Sequence, residues 1–332
     1  MSREILFLAH RLPFPPDRGD KIRSHHILRR LAAIAPVHVA TFADCEADLA
    51  YQGDLARVAR THCLVRRDKP LWRAGIEALA GGEPVSLTAF RDASLAGYVG
   101  DTLAGGDVGT IYVFSGQMGQ YVPAEFSGRV LMDLVDVDSA KFDAYGQTGP
   151  LPRRWIDARE GRLLRREEER LAHRADRTLF VSEAEADLFR SRLSDPAGVT
   201  VAALRNGIDA DCFDPARIVG SPTVLPGAGP HCVFTGQMDY APNIAAALRL
   251  IARIMPALRR THPEAQCHIV GRNPPAALLA HDGKDGCHIW GQVPDVRPYL
   301  AAADVAVVPL EIARGVQNKV LEAMAMACPV VL

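Results

Sequence analysis

The hydrophobic residues of this chain fall in short continuous runs rather than in alternating patterns. In the first 205 residues these runs are EILFLAH, VHVATF, CLVRR, GTIYVFS, GRVLMDLV, RTLFVS and VTVAAL. The stretches between them have helical spacing, as in GDKIRSHHILRRLAAIA, where apolar residues recur every three or four positions. Continuous apolar strands that alternate with helices are typical of a parallel sheet covered by helices on both faces. The pattern therefore predicts an α/β fold with a doubly wound, Rossmann-like sheet.

The same alternation occurs twice. Residues 206–230, NGIDADCFDPARIVGSPTVLPGAGP, are rich in Gly, Pro and Asp and lack periodicity, which indicates a linker. Strands and helices then alternate again from HCVFTG to PVVL. We therefore expect one domain at 1–205 and a second at 231–332. Because the chain stops inside an apolar run, the sequence predicts a second domain that is C-terminally incomplete, since a bare strand is an exposed edge.

The composition is that of a soluble globular protein. Hydrophobic residues make up 48% and charged residues 23%, and the net charge is -1. A near-neutral chain lacks the basic surplus that nucleic-acid binding requires, so no nucleic-acid partner is expected. The seven cysteines are scattered without a C-x-x-C pair, and the histidines show no metal-ligand spacing, so free thiols and no metal site are expected. With no signal peptide and no apolar stretch long enough to span a membrane, the sequence predicts a cytoplasmic protein.

Two loops of the second domain combine a glycine with the start of a helix. Gly236 follows an apolar run in FTGQMDYAPN, and Asn243 is expected to open the next helix. In ARGVQNK, Gly315 precedes a helix that opens at Asn318. Helix N-termini present free N–H groups and a partial positive charge, so each loop could hold a phosphate. The simpler alternative is that these residues are only turn glycines and helix caps.

Seven stretches, in order along almost the whole chain, carry a family resemblance. They are PFPPDRGDKIRSHH, DLVDVDSAKFDAYG, EEERLAHRADRTLFVSEAEA, LRNGIDADCFDP, FTGQMDYAPN, GQVPDVRPYLAAADVAVVPL and GVQNKVLEAMAMACPVV. In them the chain resembles GT-B glycosyltransferases of family 4 (group 1), in particular those associated with exopolysaccharide and PEP-CTERM (exosortase) systems. The resemblance implies two Rossmann-like domains facing a cleft and a retaining, metal-independent hexosyl transfer without a cofactor. The donor, a nucleotide-diphosphate sugar, would bind the second domain, and a saccharide or lipid-linked acceptor the first.

The resemblance also assigns roles, and this chain departs from some of them. Glu322 stands where family members bind the ribose hydroxyls, but Arg314 occupies the place of a second glutamate that often contacts the donor sugar. Gln237 and Asn243 replace an arginine and a lysine that serve the diphosphate in many members. A diphosphate leaving group still needs its charge stabilised.

Lys319 is the candidate for the missing positive charge. It lies in the first turn of the predicted helix, where the helix dipole disfavours a cation, and such local conflicts are expected at functional sites. We hypothesise that Lys319, with the helix N-terminus at Asn318, binds the diphosphate in place of the missing arginine and lysine. The alternative is a solvated surface lysine.

In the first domain the candidates are Gly19 and Asp136. Gly19 opens the first predicted helix, in a loop that the resemblance places near the donor phosphates and the acceptor. Asp136 follows a strand and starts an Asp136-Val-Asp138 triplet, which we interpret as structural rather than metal-binding, with Asp138 or Ser139 as a helix cap. Asp136 either positions the acceptor or the transferred sugar, or is itself structural.

Two basic segments bear on membrane contact. Residues 153–174 hold eight arginines against five acids and should form a helix, supported by pairs such as Arg165–Glu169 and Glu167–Arg170. An exposed helix explains this pattern. The alternative is peripheral association with an anionic membrane, aided by Trp72 and its apolar neighbours.

Two further functions compete with sugar transfer. A nucleotide-sugar epimerase has a similar architecture, but no convincing set of acid and base carboxylates can be assembled. A nucleotide-sugar-binding or scaffold protein of the same fold is favoured by Arg314, Gln237 and Asn243, which depart from the catalytic pattern. A dinucleotide oxidoreductase is disfavoured, because no G-x-G-x-x-G follows the first strand of either domain.

Overall fold

A computed structural model describes residues 4–148, 150–218, 225–311 and 317–332. The chain divides into two compact units, Met1–Arg205 and Asn206–Leu332. Each unit is an α/β domain whose strands are all parallel to their neighbours.

In the described residues the first unit holds seven strands. They are β1 Glu4–Ala9, β2 Val37–Ala43, β3 Thr61–Arg66, β4 Val108–Phe114, β5 Arg129–Val135, β6 Arg177–Phe180 and β7 Val201–Ala203. Their order in the sheet is β3-β2-β1-β4-β5-β6-β7. The helices are α1 Gly19–Ala32, α2 Glu46–Leu49, α3 Gln52–Val58, α4 Leu71–Gly81, α5 Val85–Thr88, α6 Ala93–Ala104, α7 Asp138–Thr148, α8 Arg153–Arg174 and α9 Glu183–Arg192, with a 3-10 helix at Gly116–Tyr121.

The described part of the second unit holds a five-stranded sheet of order β10-β9-β8-β11-β12. Its strands are β8 His231–Thr235, β9 Gln266–Val270, β10 Cys287–Gly291, β11 Val305–Val307 and β12 Val330–Val331. Its helices are α10 Ala241–Arg249, α11 Met255–Leu258, α12 Ala276–Leu279, α13 Arg297–Ala302 and α14 Asn318–Ala325. A π-helical segment, Leu250–Ile254, joins α10 to α11, and a 3-10 helix lies at Pro215–Arg217.

Each sheet is buried on both faces, as the continuous apolar runs predict. In the first unit, Leu6 and Leu8 of β1 belong to one core cluster, whereas Phe7 between them belongs to the cluster on the other face. In the second unit, Phe234 and Val233 of β8 divide in the same way. Successive side chains of a strand point to opposite faces, so an unbroken apolar run covers both.

The structure corrects two details of the sequence analysis. The helix expected to open at Asn243 begins at Ala241, which places Asn243 inside its first turn. The predicted Arg165–Glu169 pair is replaced by other bonds: Arg165 donates to the carbonyl of Arg192, and Glu169 accepts from the amides of Ser194 and Asp195. The Glu167–Arg170 pair is present. Arg165 and Glu169 of α8 thus bind the backbone of the segment that follows α9 instead of each other.

One helix is more apolar than the sequence analysis expected. Among the described residues, 241–258 is the one stretch long and apolar enough to cross a membrane, with a mean hydropathy of 1.2. It carries Arg249 and Arg253, and its residues Ala247 and Leu250 lie in a core of the second unit. Core helices of globular domains meet the same criterion, and 28% of this stretch is buried within the structure.

Three cysteines form a row across the second sheet. Cys232, Cys267 and Cys287 are register partners on β8, β9 and β10, and all three are buried. The next residue on β9, His268, points to the opposite face, where its ring accepts from Trp290 and is hydrogen-bonded to His231. The alternation of strand side chains thus separates a thiol face from an imidazole face.

Candidate functional site

Both sheets have a topological switch point at their first strand. Strand β1 lies between β2 and β4, and β8 lies between β9 and β11. The connection after β1 runs to one side of its sheet and the connection after β4 to the other, and the same holds for β8 and β11. In open parallel sheets, ligands bind at the carboxyl ends of strands beside such a point. The residues that directly follow β1 and β8 therefore lie where a ligand is expected to bind.

Beyond β8, two glycines let the backbones of neighbouring loops approach closely. Gly236 and Gly271 follow β8 and β9, with φ of +153° and +156°. A Cβ atom on Gly271 would lie 1.6 Å from the carbonyl oxygen of Gly236, a distance that no side chain can occupy. The Gly236 amide donates to the carbonyl of Val270 over 3.0 Å. The loop after β8 is thus held closely against the loop after β9 by backbone contact, and the Asn273 side chain adds a hydrogen bond to Asp239 at 3.0 Å.

Lys319 and Asn243 converge on Gly236 from two different helices. The Lys319 ammonium donates to Oδ1 of Asn243 over 2.7 Å, and the Asn243 amide nitrogen donates to the Gln237 carbonyl over 2.8 Å. The same ammonium lies 4.6 Å from the centre of the Phe234 ring. A Cβ atom on Gly236 would come within 2.9 Å of the Lys319 nitrogen. Lys319 is therefore a positioned cation beside the loop after β8 rather than a solvated surface lysine.

The charge of Lys319 is only partly compensated. Burial lowers the pKa of its ammonium to about 8, and the nearby Glu322 carboxylate opposes that shift. Burial likewise raises the pKa of Glu322, and the Lys319 charge opposes it. The two residues are three positions apart on α14, so they share one face of the helix. An anion bound beside this half-buried ammonium would favour its charged form and raise its pKa again, so the ammonium and an anion would stabilise each other.

Of the other residues predicted for this site, Gln237 and Asn318 are neighbours of Gly236 and Lys319 in the sequence, and two lie outside the described part of the chain. The side-chain nitrogen Nε2 of Gln237 is buried and has no hydrogen-bond partner among the described residues. Asn318 begins α14 and accepts from the Asn206 amide at 3.3 Å. Arg314 and Gly315 lie outside the residues that the structure describes. A buried amide donor without an acceptor is a costly arrangement that a ligand oxygen would relieve.

In the first unit, charged residues surround the end of β1. Arg11 donates to Asp20 at 2.7 Å and to Asp44 at 2.5 Å, and Arg18 donates to Asp20 at 2.7 Å. Burial alone would raise the pKa of Asp20, but a hydrogen bond from His10 and the charges of Arg18 and Arg11 hold that pKa well below its ordinary value. Gly19, the predicted site residue here, is the exposed first residue of α1 between Arg18 and Asp20.

His10 was missed by the sequence analysis. It directly follows β1, is buried, and stacks on Phe114 with ring centres 5.8 Å apart. Its Nδ1 atom is buried and has no hydrogen-bond partner in the described part of the chain. The signal that could have found it is its position: a polar residue immediately after the first apolar run of a doubly wound sheet.

Asp136 lies in the first unit, whereas Lys319 and Glu322 lie in the second. Lys141 donates to the carboxylates of both Asp136 and Asp138 at 2.9 Å, so an ammonium group occupies the space between them. The preceding residue, Val135, has a φ of +69°, an unfavourable conformation for a β-branched side chain that redirects the chain before Asp136. Asp136 is thus held by local structure at the end of β5.

The predicted helix cap by Asp138 or Ser139 is wrong, because glutamates from other helices accept hydrogen bonds from the amides at the start of α7. Glu168 accepts from both the amide (2.8 Å) and the hydroxyl (2.6 Å) of Ser139, and Glu185 accepts from the Val137 amide at 2.8 Å. Burial raises the pKa of Glu168 to about 7, although the Ser139 hydrogen bonds oppose the shift. The start of α7 is therefore fixed by α8 and α9.

A buried ion pair, also missed, anchors α1 to the first sheet. Arg23 donates twice to Asp133 at 3.1 Å, and the Tyr112 hydroxyl donates to the same carboxylate at 2.8 Å. Arg23 also donates to the carbonyl of Leu204 at 2.6 Å. These contacts link α1 with β4, β5 and the end of the first unit.

Comparison with known proteins agrees with this architecture. Residues 229–332 match the family model described as Glycosyl transferases group 1. Anabaena HepE in complex with UDP and glucose is similar in structure at 16% identity and a TM-score of 0.62, over 99% of this chain and 80% of that one. Sucrose-phosphate synthase from Thermosynechococcus elongatus is similar at 18% identity and 0.64, with the same coverage.

A third similar structure is that of α,α-trehalose 6-phosphate synthase from Burkholderia multivorans, at 13% identity and a TM-score of 0.61, over 100% of this chain and 83% of that one. No sequence among the curated proteins matches the chain. The chain thus has a two-domain, Rossmann-like fold of the GT-B type, with a Glycosyl transferases group 1 match in its second unit.

Proposed function

We propose that this protein is a glycosyltransferase that moves a sugar from a nucleotide-diphosphate donor onto a saccharide or lipid-linked acceptor. The observation that carries the proposal is the Lys319 ammonium, fixed by Asn243 and Phe234 beside the loop after β8. A positioned cation and an unpaired amide donor at the carboxyl end of a parallel sheet are suited to a diphosphate. The match of residues 229–332 and the UDP complexes of HepE support a nucleotide sugar as the donor.

In this proposal the residues of the second unit act on the donor. Lys319 neutralises charge that develops on the diphosphate as the glycosidic bond breaks, and Gln237 supplies a further hydrogen bond. Glu322 accepts hydrogen bonds from the ribose hydroxyls. Asp136, at the end of β5, orients the acceptor or the transferred sugar, once its ion pair with Lys141 is rearranged.

Finer features of the proposal are supported by the resemblance of the seven sequence stretches. They favour a family 4 enzyme that transfers a hexose with retention of configuration, works without a metal or cofactor, and serves exopolysaccharide synthesis in a PEP-CTERM-associated system. A lipid-linked acceptor would bring the enzyme to the inner membrane as a peripheral protein.

The first test measures thermal unfolding with UDP, GDP, ADP and TDP, each compared with free phosphate. We expect one nucleotide to raise the unfolding temperature of the wild type more than phosphate does. Lys319→Met should weaken the binding of that nucleotide by about ten- to hundredfold, as expected for loss of a charge-assisted contact. Lys284→Met, which changes an exposed lysine of the same unit, is the matched control and should bind normally. Unchanged affinity in Lys319→Met would refute the assigned role.

The second candidate function is nucleotide-sugar binding without transfer. It is favoured by the Asp136–Lys141 ion pair and by the neutral Gln237 and Asn243 at positions where many relatives carry cations. Release of nucleoside diphosphate from the donor, with the configuration of the freed sugar read by NMR, separates the two. Slow release with retained configuration supports a transferase. Stable binding without any release supports a binding protein, and a change of configuration in the still intact donor supports an epimerase.

A further inference from the structure

Large apolar side chains are exposed on α4 and at the start of α8. We call this group the α4–α8 surface, and it comprises Leu71, Trp72, Ile76, Leu79, Trp155 and Ile156. The two tryptophans are 69% and 75% exposed, and the whole chain has only three. Single exposed apolar residues are ordinary, but a group of this size marks an interaction surface.

The packing of α4 is inverted with respect to an ordinary surface helix. Its buried residues are the small Ala74 and Ala78, while Trp72, Ile76 and Leu79 point outward. A helix that only covered its own domain would bury its large apolar residues and expose small or polar ones. The large side chains of α4 are therefore left free for something outside the unit.

Direct hydrogen bonds hold the first half of α8 against the end of α4 and the residues that follow it. Arg159, one turn beyond Trp155 and Ile156 on α8, donates to the carbonyls of Ala78 and Glu83 at 3.0 and 3.2 Å. Glu160, the next residue, accepts from the amides of Val85 and Ser86. The end of α4 and the first half of α8 are thus held side by side.

The charge around this surface is positive. In segments 69–80 and 151–162 the basic residues are Lys69, Arg73, Arg153, Arg154, Arg159 and Arg162. Against these six stand three acids, Glu77, Asp157 and Glu160, which gives a net charge of +3 in a chain whose net charge is -1. Glu77 pairs with Lys69 and Arg73, and Glu160 is buried. Outward, the surface presents tryptophan and arginine together.

We propose that the α4–α8 surface is a docking face for an anionic lipid bilayer. Tryptophan and aliphatic side chains insert at the level of the headgroups, while arginines around them contact lipid phosphates. A second copy of the chain fits less well, because a symmetric contact would place one positive surface against another. The inference deepens the proposed function, since a lipid-linked acceptor would be met at this face, but vesicle binding itself requires no transfer.

The experiment is co-sedimentation of the full chain with vesicles of phosphatidylcholine alone or mixed equally with phosphatidylglycerol. We expect binding to the anionic vesicles, weakened several-fold by high salt, with a blue shift of tryptophan fluorescence. Trp72→Ser with Trp155→Ser should remove the binding, and Arg153→Gln, which removes one positive charge, should weaken it about fivefold. The controls Leu279→Ser and Arg253→Glu alter exposed residues of the second unit and should bind as the wild type does.

Two results would overturn the proposal. One is equal sedimentation with and without anionic lipid. The other is a dimer of the wild type, seen by sedimentation equilibrium, that the double tryptophan variant loses, which would assign the surface to a second copy. Lys319→Met separates this inference from the proposed function, because it should bind vesicles normally while its nucleotide binding is weakened about ten- to hundredfold. Vesicle binding without any nucleotide binding would leave the docking face in place and remove the transferase proposal.

Discussion

At the scale of single residues, the ammonium of Lys319 is the group whose protonation should control nucleotide binding. Its pKa is lowered to about 8 by burial, so the free protein loses this charge as the pH rises above about 8. Affinity for a nucleoside diphosphate should then fall by up to about tenfold per pH unit, because binding requires the protonated form. Titration calorimetry between pH 7 and 9.5 measures this fall.

Lys319→Arg provides the control for that pH profile. A guanidinium stays charged throughout this range, so the affinity of this variant should be nearly independent of pH. Lys319→Met should bind weakly at every pH. If the wild type showed the same flat profile as Lys319→Arg, the ammonium would not be the group that titrates.

The close approach at Gly271 makes a second prediction for a single residue. Gly271→Ala would place a methyl group 1.6 Å from the Gly236 carbonyl oxygen, so the loops after β8 and β9 must separate. We expect a loss of about 3 kcal/mol or more in the free energy of unfolding, together with loss of nucleotide binding. Urea denaturation and the thermal shift with nucleotide measure both effects.

Gly291 is the matched position for this comparison. Its φ is +67°, and open space surrounds the position that a Cβ atom would take. Gly291→Ala should therefore cost only the backbone strain, about 1–2 kcal/mol, and leave nucleotide binding intact. Equal behaviour of the two variants would mean that the contact between the loops is unimportant.

At the scale of elements, the start of α7 depends on a buried carboxyl of α8. The pKa of Glu168 is near 4.5 when unfolded and about 7 when folded, raised by burial. Between these values the unfolded chain releases a proton that the folded protein keeps, so the free energy of unfolding should fall as the pH rises from 4.5 to 7. The fall should be on the order of 1–3 kcal/mol.

Glu168→Gln removes this titration while keeping an oxygen that can accept from the Ser139 amide. The stability of this variant should change less between pH 4.5 and 7 than that of the wild type, as measured by urea denaturation at each pH. Glu125→Gln, at an exposed position, should follow the wild-type curve. A wild-type curve parallel to that of Glu168→Gln would show that Glu168 ionises normally.

The elements themselves could largely be predicted from the sequence, because they depend on local pattern. Every apolar run identified as a strand contains one, and α14 begins at Asn318 as expected. The error at Asn243 arose because the helix starts two residues earlier, at Ala241, where Pro242 suits the first turn. Boundaries depend on capping contacts that a pattern of hydrophobic positions does not contain.

At the scale of the whole molecule, the candidate site could be predicted only in part. The conflict of a lysine in a first helical turn pointed to Lys319, and the structure supplies its partners, Asn243 from 76 positions away and Phe234 beneath it. The Arg23–Asp133 pair joins residues 110 positions apart and has no local signal. Such pairings follow from strand order, which a single sequence leaves open.

The four buried cysteines all lie in the second unit, so slow thiol labelling can follow that unit. Cys232, Cys267, Cys287 and Cys328 are buried in the second unit, while Cys45 and Cys212 are exposed. A maleimide added to the native protein should therefore modify the exposed thiols at once and reach the row across β8, β9 and β10 only when that sheet opens. Cys63 of the first unit is half-buried and is replaced by serine for this measurement, so that the slow phase of labelling reports the opening of the second unit alone. A bound nucleotide that holds the unit closed would lengthen that phase without any label being placed near the site.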